Sequence, residues 1–184
     1  MSIDVGAAPV ERRPRTWVRL LLIGVVAVFV VFWTWALFFA SKEAINKIDD
    51  TAWAERAELI CQDANEQRLA LADYRQIDED SPGLIAERAD IVDDATDIIE
   101  AMIGDVDAVT PADDKGQAIV PEWVAEYRSY IDARRTYAAQ LRSSGENLPF
   151  YEPAVSGVPV SERLETFAGD NDMPACAPPR DLTR

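Results

Sequence analysis

The stretch SPGLIAERADIVDDATDIIEAMIG, residues 81–104, decides the fold class of this chain. Its apolar residues fall at Leu84 and Ile85, Ile91 and Val92, Ala95, Ile98 and Ile99, then Met102 and Ile103. Steps of three and four trace one face of an α-helix, and Arg88 is the residue out of pattern. Ser81 ahead of Pro82 supplies an N-cap hydroxyl, then a residue whose fixed φ and missing N–H suit the first helical position. Gly104 is the expected stop.

The same period extends to both sides. Upstream, Ile45, Ile48, Ala52, Trp53, Ala57, Ile60, Ala64, Leu71 and Tyr74 recur near helical spacing. Nothing before Asp78 interrupts them, so this helix is expected to run on directly from the apolar segment before it as one rod. A heptad begun at Ile45 and Ile48 puts Glu55 and Gln62 on the seam, which speaks against a coiled coil. Downstream, residues 105–120 read as a connector in which Thr110-Pro111-Ala112-Asp113 caps a short helical piece. Pro121 is expected to open a third helix with Trp123, Val124, Tyr127, Ile131, Ala138 and Leu141 inward. Arg134, Arg135 and Arg142 fall in its later turns, where cations complement the helix dipole. Ser143-Ser144-Gly145 ends it. Alanine, aspartate and glutamate dominate while β-branched runs are scarce, which favours helix over strand. The expected fold is therefore all-α, an up-down bundle of about three helices.

The last forty residues differ. Pro149, Pro153, Pro159, Pro174, Pro178 and Pro179 exclude a long helix. Leu148, Phe150, Tyr151, Val155, Val158, Leu164 and Phe167 are too apolar for a free linker. Residues 148–184 are read as an irregular strap packed on the helices, with one short helix near 161–168.

Residues 20–40 are apolar throughout, interrupted only by Gly24 and Thr34. A helix of this length matches a hydrocarbon core of about 30 Å. Trp17, Trp33 and Trp35 lie near its two ends, where indole rings settle at the headgroup level. The run exceeds that of a cleavable signal peptide, and Phe38-Phe39-Ala40 puts phenylalanine where a cleavage site needs small residues. Residues 17–40 are thus expected to be an uncleaved transmembrane anchor in contact with the lipid bilayer, after a short basic stub, residues 1–16. Arg12, Arg13, Arg15 and Arg19 precede the span, so the positive-inside rule puts the N-terminus in the cytoplasm and residues 41–184 outside the cell membrane. Residues 41–147 then form an acidic extracytoplasmic helical domain.

Charge and composition narrow the function. The chain carries 18 basic and 33 acidic side chains and no histidine. The part after residue 40 holds 14 of the former and 31 of the latter, a net of −17. Such a domain repels phosphate backbones, so no nucleic acid is expected as a partner. The lack of histidine excludes His-based triads and His-ligated zinc. No phosphate loop, dinucleotide fingerprint or nucleophile elbow occurs.

Cys61 and Cys176 are the only cysteines, 115 positions apart, and an even pair in an oxidising exterior points to a disulfide. Asp90, Asp93, Asp94 and Asp97 share one side of the second helix. They fit a solvated acidic face better than a cation or acid–base site, because no EF-hand spacing is present. Asp170 and Asp172, beside Gly169, are the best loop pair for calcium, and a weak one. Tyr130 and Tyr137 fall off the inward face assigned to the third helix and, with the Asp90–Asp97 side, form the expected partner face. The combined expectation is a non-enzymatic interaction or assembly module without a cofactor, engaging another membrane or envelope protein. The alternative is a small-ligand or divalent-cation-binding bundle serving a signalling or transport partner. Replacing Arg12, Arg13, Arg15 and Arg19 with glutamine is expected to lower the fraction of chains whose C-terminal domain is outside, read by protease accessibility in intact cells.

Overall fold

The computed structural model describes residues 16–39, 44–71 and 82–182. The chain divides into two compact units, Met1–Glu43 and Ala44–Arg184. The described part of the first is helix α1 (Thr16–Phe38), 23 residues of which none is buried. At 1.5 Å per residue α1 is about 34 Å long, and it is apolar enough to cross a membrane. Its one hydroxyl in the apolar run, Thr34 Oγ1, donates to the Val30 carbonyl at 2.7 Å, which gives that hydroxyl a partner within the helix. Arg19 lies in its first turn; Arg12, Arg13 and Arg15 lie outside the described residues.

The second unit contains α2 (Thr51–Leu69), α3 (Pro82–Asp107), α4 (Asp114–Ser144), a hairpin of β1 (Ala154–Val155) and β2 (Val158–Pro159), α5 (Val160–Asp170) and a 3₁₀ turn (Pro174–Cys176). Helix packs on helix, as the sequence pattern of residues 81–104 implies. The N-cap expected of Ser81 falls outside the described residues. Three expectations about boundaries are corrected. The uninterrupted rod does not form. Residues 44–50 are non-helical, and α2 starts at Thr51 because Asp50 Oδ1 accepts from Trp53 N at 2.9 Å. Gly104 does not stop α3, which continues to Asp107 and buries Val106. Pro121 does not open α4 but lies inside it, because Asp113 caps the helix eight residues earlier, accepting from Gly116 N at 2.7 Å. Gly116 is required at that corner, since a Cβ there would meet Asp113 Oδ2 and Pro111 Cβ at 2.6 Å. The two capping aspartates also clasp each other's segment. Asp50 N donates to Asp113 Oδ2 at 3.2 Å, and Ala112 N donates to Asp50 Oδ2 at 2.8 Å. The start of α2 and the start of α4 are thereby held at one end of the domain.

α3 packs against both α2 and α4. α5 packs on α4, and the 3₁₀ turn packs on α2 and α5. The main core therefore draws Trp53, Ala57 and Cys61 from α2, Ile103 and Val106 from α3, Trp123 and Tyr127 from α4, and Leu164, Phe167 and Met173 from the C-terminal segment. A second apolar cluster joins Ile85, Ala89 and Val92 of α3 to Ala138 and Leu141 of α4, with Leu182 inserted from the far C-terminus. α4 ends at Gly145, whose φ of +67° gives the left-handed cap a side chain disfavours. The β1–β2 turn uses positive φ at both Ser156 and Gly157, the geometry that matches strand twist in a two-residue hairpin. Tyr151, Val155 and Val158, expected to be covered, are exposed around this hairpin.

The sulfurs of Cys61 and Cys176 lie 2.04 Å apart, at disulfide distance, and both residues are fully buried. Tying positions 115 apart restricts the unfolded chain by about 4–5 kcal/mol in a chain-entropy treatment, with measured effects nearer about 2–4 kcal/mol. Reduction, or the Cys61→Ala/Cys176→Ala pair, is therefore expected to lower the urea midpoint of the second unit by the equivalent of about 2–4 kcal/mol, measured by tryptophan fluorescence.

Candidate functional site

The polar chemistry of the second unit concentrates on α4. Trp123, Tyr127, Tyr130, Arg134, Tyr137 and Leu141 follow one another at steps of four and three, so they form a single stripe along the helix. All six are buried. Their polar tips reach the C-terminal segment. Tyr127 Oη donates to the Cys176 carbonyl at 3.0 Å, Tyr130 Oη to that of Pro179 at 3.0 Å, and Tyr137 Oη to that of Leu148 at 3.1 Å. Trp123 Nε1 lies 3.5 Å from the Leu164 carbonyl, and its ring stacks on Phe167 at 5.1 Å. Burial pushes the Tyr127 phenol well above its ordinary range. It does the same to Tyr130, against the opposing pull of the Arg134 guanidinium.

The expected partner face is corrected by this arrangement. Tyr130 and Tyr137 are only 2% and 3% exposed, so neither offers a surface to a partner. The reason is that α4 is covered on two sides. Val124, Ile131 and Ala138 are buried on one side of the helix and the tyrosine stripe on the next, because the C-terminal segment supplies a second wall. An inward face drawn for contact with helices alone is too narrow for this.

Among the described residues Arg134 is the buried charged side chain, with no exposed surface. Its Nη1 and Nη2 donate to Asp181 Oδ1 and Oδ2 at 2.7 and 2.9 Å, and its Nε donates to Thr96 Oγ1 at 3.0 Å. The guanidinium carbon lies 5.8 Å from the Tyr130 ring centre, a cation–π distance. Arg68 Nη1 adds a second, longer contact to Asp181 at 3.9 Å. Burial alone raises the Asp181 carboxyl, but the Arg134 hydrogen bonds and charge, helped by Arg68, bring it below the usual carboxylate value. Reading Arg134 as a helix-end cation missed this role. The visible signal was its place on the stripe, between Tyr130 and Tyr137.

The Asp90–Asp97 side is an ion-pair seam between α3 and α4. Arg142 donates to Asp90 Oδ1 at 2.8 Å and also to Asp93. Arg135 bonds Asp97 and Glu100, the latter at 2.8 Å, and lies 3.5 Å from Asp93. Both guanidiniums are held above their ordinary range, chiefly by the hydrogen bonds they donate to these carboxylates. Asp94 is exposed and takes no part. Asp170 Oδ2 accepts from Asn46 Nδ2 at 3.2 Å and Asp172 Oδ2 from Lys47 Nζ at 2.9 Å, so side chains already face the pair named for calcium. Among the described residues, no group of three or more metal-binding side chains gathers. Compared with protein-family models, curated proteins and solved structures, the chain finds no match.

Breaking the buried pair from one side leaves its partner charge uncompensated. Arg134→Met and Asp181→Asn are each expected to destabilise by about 3 kcal/mol or more, and Arg134→Met/Asp181→Asn by less than the sum, by denaturant titration. The pH dependence follows from carboxylates whose folded values are depressed: Asp181 by Arg134, Asp50 by the Ala112 and Trp53 N–H groups, and Asp113 by the Gly116 N–H against burial. Their contribution is present above the ordinary carboxylate value of 3.8 and is lost as pH falls through the lower folded values. Thermal melts from pH 6 to 2 are expected to show a smaller acid loss in Asp181→Asn than in the parent.

Proposed function

We propose that this chain is a single-pass membrane protein, N-terminus inside and C-terminus outside, whose acidic domain is a non-enzymatic interaction or assembly module of the cell envelope. In this reading the domain is an up-down bundle of α2, α3 and α4, with the Pro-rich C-terminal strap taking the place of a fourth helix. The observation that carries it is how the domain uses its chemically capable groups. The buried guanidinium and its carboxylate hold the C-terminal segment, and the α3 carboxylates along the α4 seam are engaged by Arg135 and Arg142. A rigid, disulfide-linked body on an anchor suits the presentation of a surface. Support for the anchor comes from α1, none of whose apolar side chains is buried and most of which are exposed, a state that water disfavours and lipid accepts.

Cross-linking in intact membranes, followed by purification through a C-terminal tag, is expected to return one stoichiometric membrane or envelope protein. Return of the chain alone, or turnover of an envelope substrate abolished by a single carboxylate replacement, contradicts the proposal.

A further inference from the structure

The charges on α3 are treated unequally on its two sides. Toward α4, Asp90, Asp93, Asp97, Glu100 and Asp107 all meet arginines. Toward α2 lies a groove of about 340 Å³. Its apolar lining includes Leu59 and Ile60 of α2 and Ile98 and Met102 of α3, with Asp63 and Asp105 on its rims. Among the described residues neither Asp63 nor Asp105 has a cationic partner; Asp63 accepts only from Gln67 Nε2, at 2.8 Å. Asp94, one turn before Ile98 on the same helix, has none either. Leu59 is 65% exposed. An apolar floor between two helices with uncompensated acids on both rims is complementary to one kind of occupant.

We infer that the α2–α3 groove docks an amphipathic helix of a partner protein whose apolar face fills the floor and whose lysines or arginines meet Asp63 and Asp105. The inference rests on the interaction-module reading above and assigns it a surface. Helix-in-groove recognition uses apolar anchors at three- and four-residue spacing, and the groove offers them apolar residues from both of its helices. The basic flanks supply the cations that α4 supplies on the other side of α3. They also give attraction at a distance, because the domain as a whole carries a net charge of −17. A second copy of the chain is the poorer occupant, since it brings the same excess of acid to the same rims. The proposed surface is distinct from the α4-facing seam, where Asp90, Asp93 and Asp97 are already paired.

The test places a photoreactive residue at position 59, 63 or 105, and at positions 135 and 151 for comparison, in the full-length chain in its own membrane. Mass spectrometry then sequences the cross-linked peptide. The expected result is an adduct from 59, 63 and 105 to a segment with apolar residues at helical spacing flanked by lysine or arginine. Asp63→Lys/Asp105→Lys is expected to lower the adduct at position 59 about tenfold, with an unchanged melting temperature. Adducts confined to 135 or 151 overturn the groove while leaving the interaction module standing. An adduct to another copy of the chain, to lipid, or to an acidic segment overturns it as well. Absence of adducts from every position overturns both readings.

Discussion

A buried segment that is not a helix or a sheet strand must find donors for its own carbonyls, and α4 provides them. The carbonyls of Leu148, Cys176 and Pro179 accept from three tyrosines on one stripe of that helix, and Asp181 is held on the same stripe by Arg134. On either side of α5, prolines at 149, 153, 174, 178 and 179 deny the chain the repeating hydrogen bonds of a helix. Side chains with an apolar body and a polar tip meet both needs, burying area against the core and offering a donor at the end. The Cys61–Cys176 link then closes the same segment onto α2. Apolar packing, hydrogen bonding, one buried ion pair and one covalent bond thus act on a single stretch of some thirty residues.

This division of labour has a consequence for the surface. α4 gives its tyrosine stripe and Arg134 to the C-terminal segment and its exposed arginines to α3, so little of its chemistry is left for solvent. α2 meets α3 over a smaller interface and keeps Leu59 and its acidic neighbours outside. The domain is consequently well satisfied on one flank and unbalanced in charge on the other. Exposed ion pairs such as those of Arg135 and Arg142 contribute little individually, so the seam matters more for where the net negative charge remains than for stability.

The helical class was legible because residues 81–104 repeat their apolar positions without ambiguity, and the apolar helix Thr16–Phe38 was legible from length alone. The cysteine pair was readable from number and context. Boundaries were less so. Asp50 and Asp113 cap their helices through side-chain contacts that composition does not rank above Thr110 or Pro121. The burial of Tyr130 and Tyr137 was hidden for a different reason. Their four–three spacing with Trp123, Tyr127 and Arg134 is visible in the sequence, but which side of α4 is covered depends on a segment whose path no period records. The same applies to Asp181, a lone acid near the chain end that acquires its meaning from Arg134, 47 residues away. The groove between α2 and α3 was not foreseen, since it depends on which acids remain without arginines after the helices pack.

The central claim is that the C-terminal segment is as much a part of the folded domain as the helices it crosses. Hydrogen–deuterium exchange of the intact, oxidised protein tests it most directly, through the backbone amides of α5 and of Met173 and Cys176, which donate to Ala168 and Met173 carbonyls at 2.8 and 2.9 Å. The account predicts that these amides exchange as slowly as those in the middle of α4, opening only with the whole domain. Exchange of the segment at loop rates, while α3 and α4 stay protected, contradicts it.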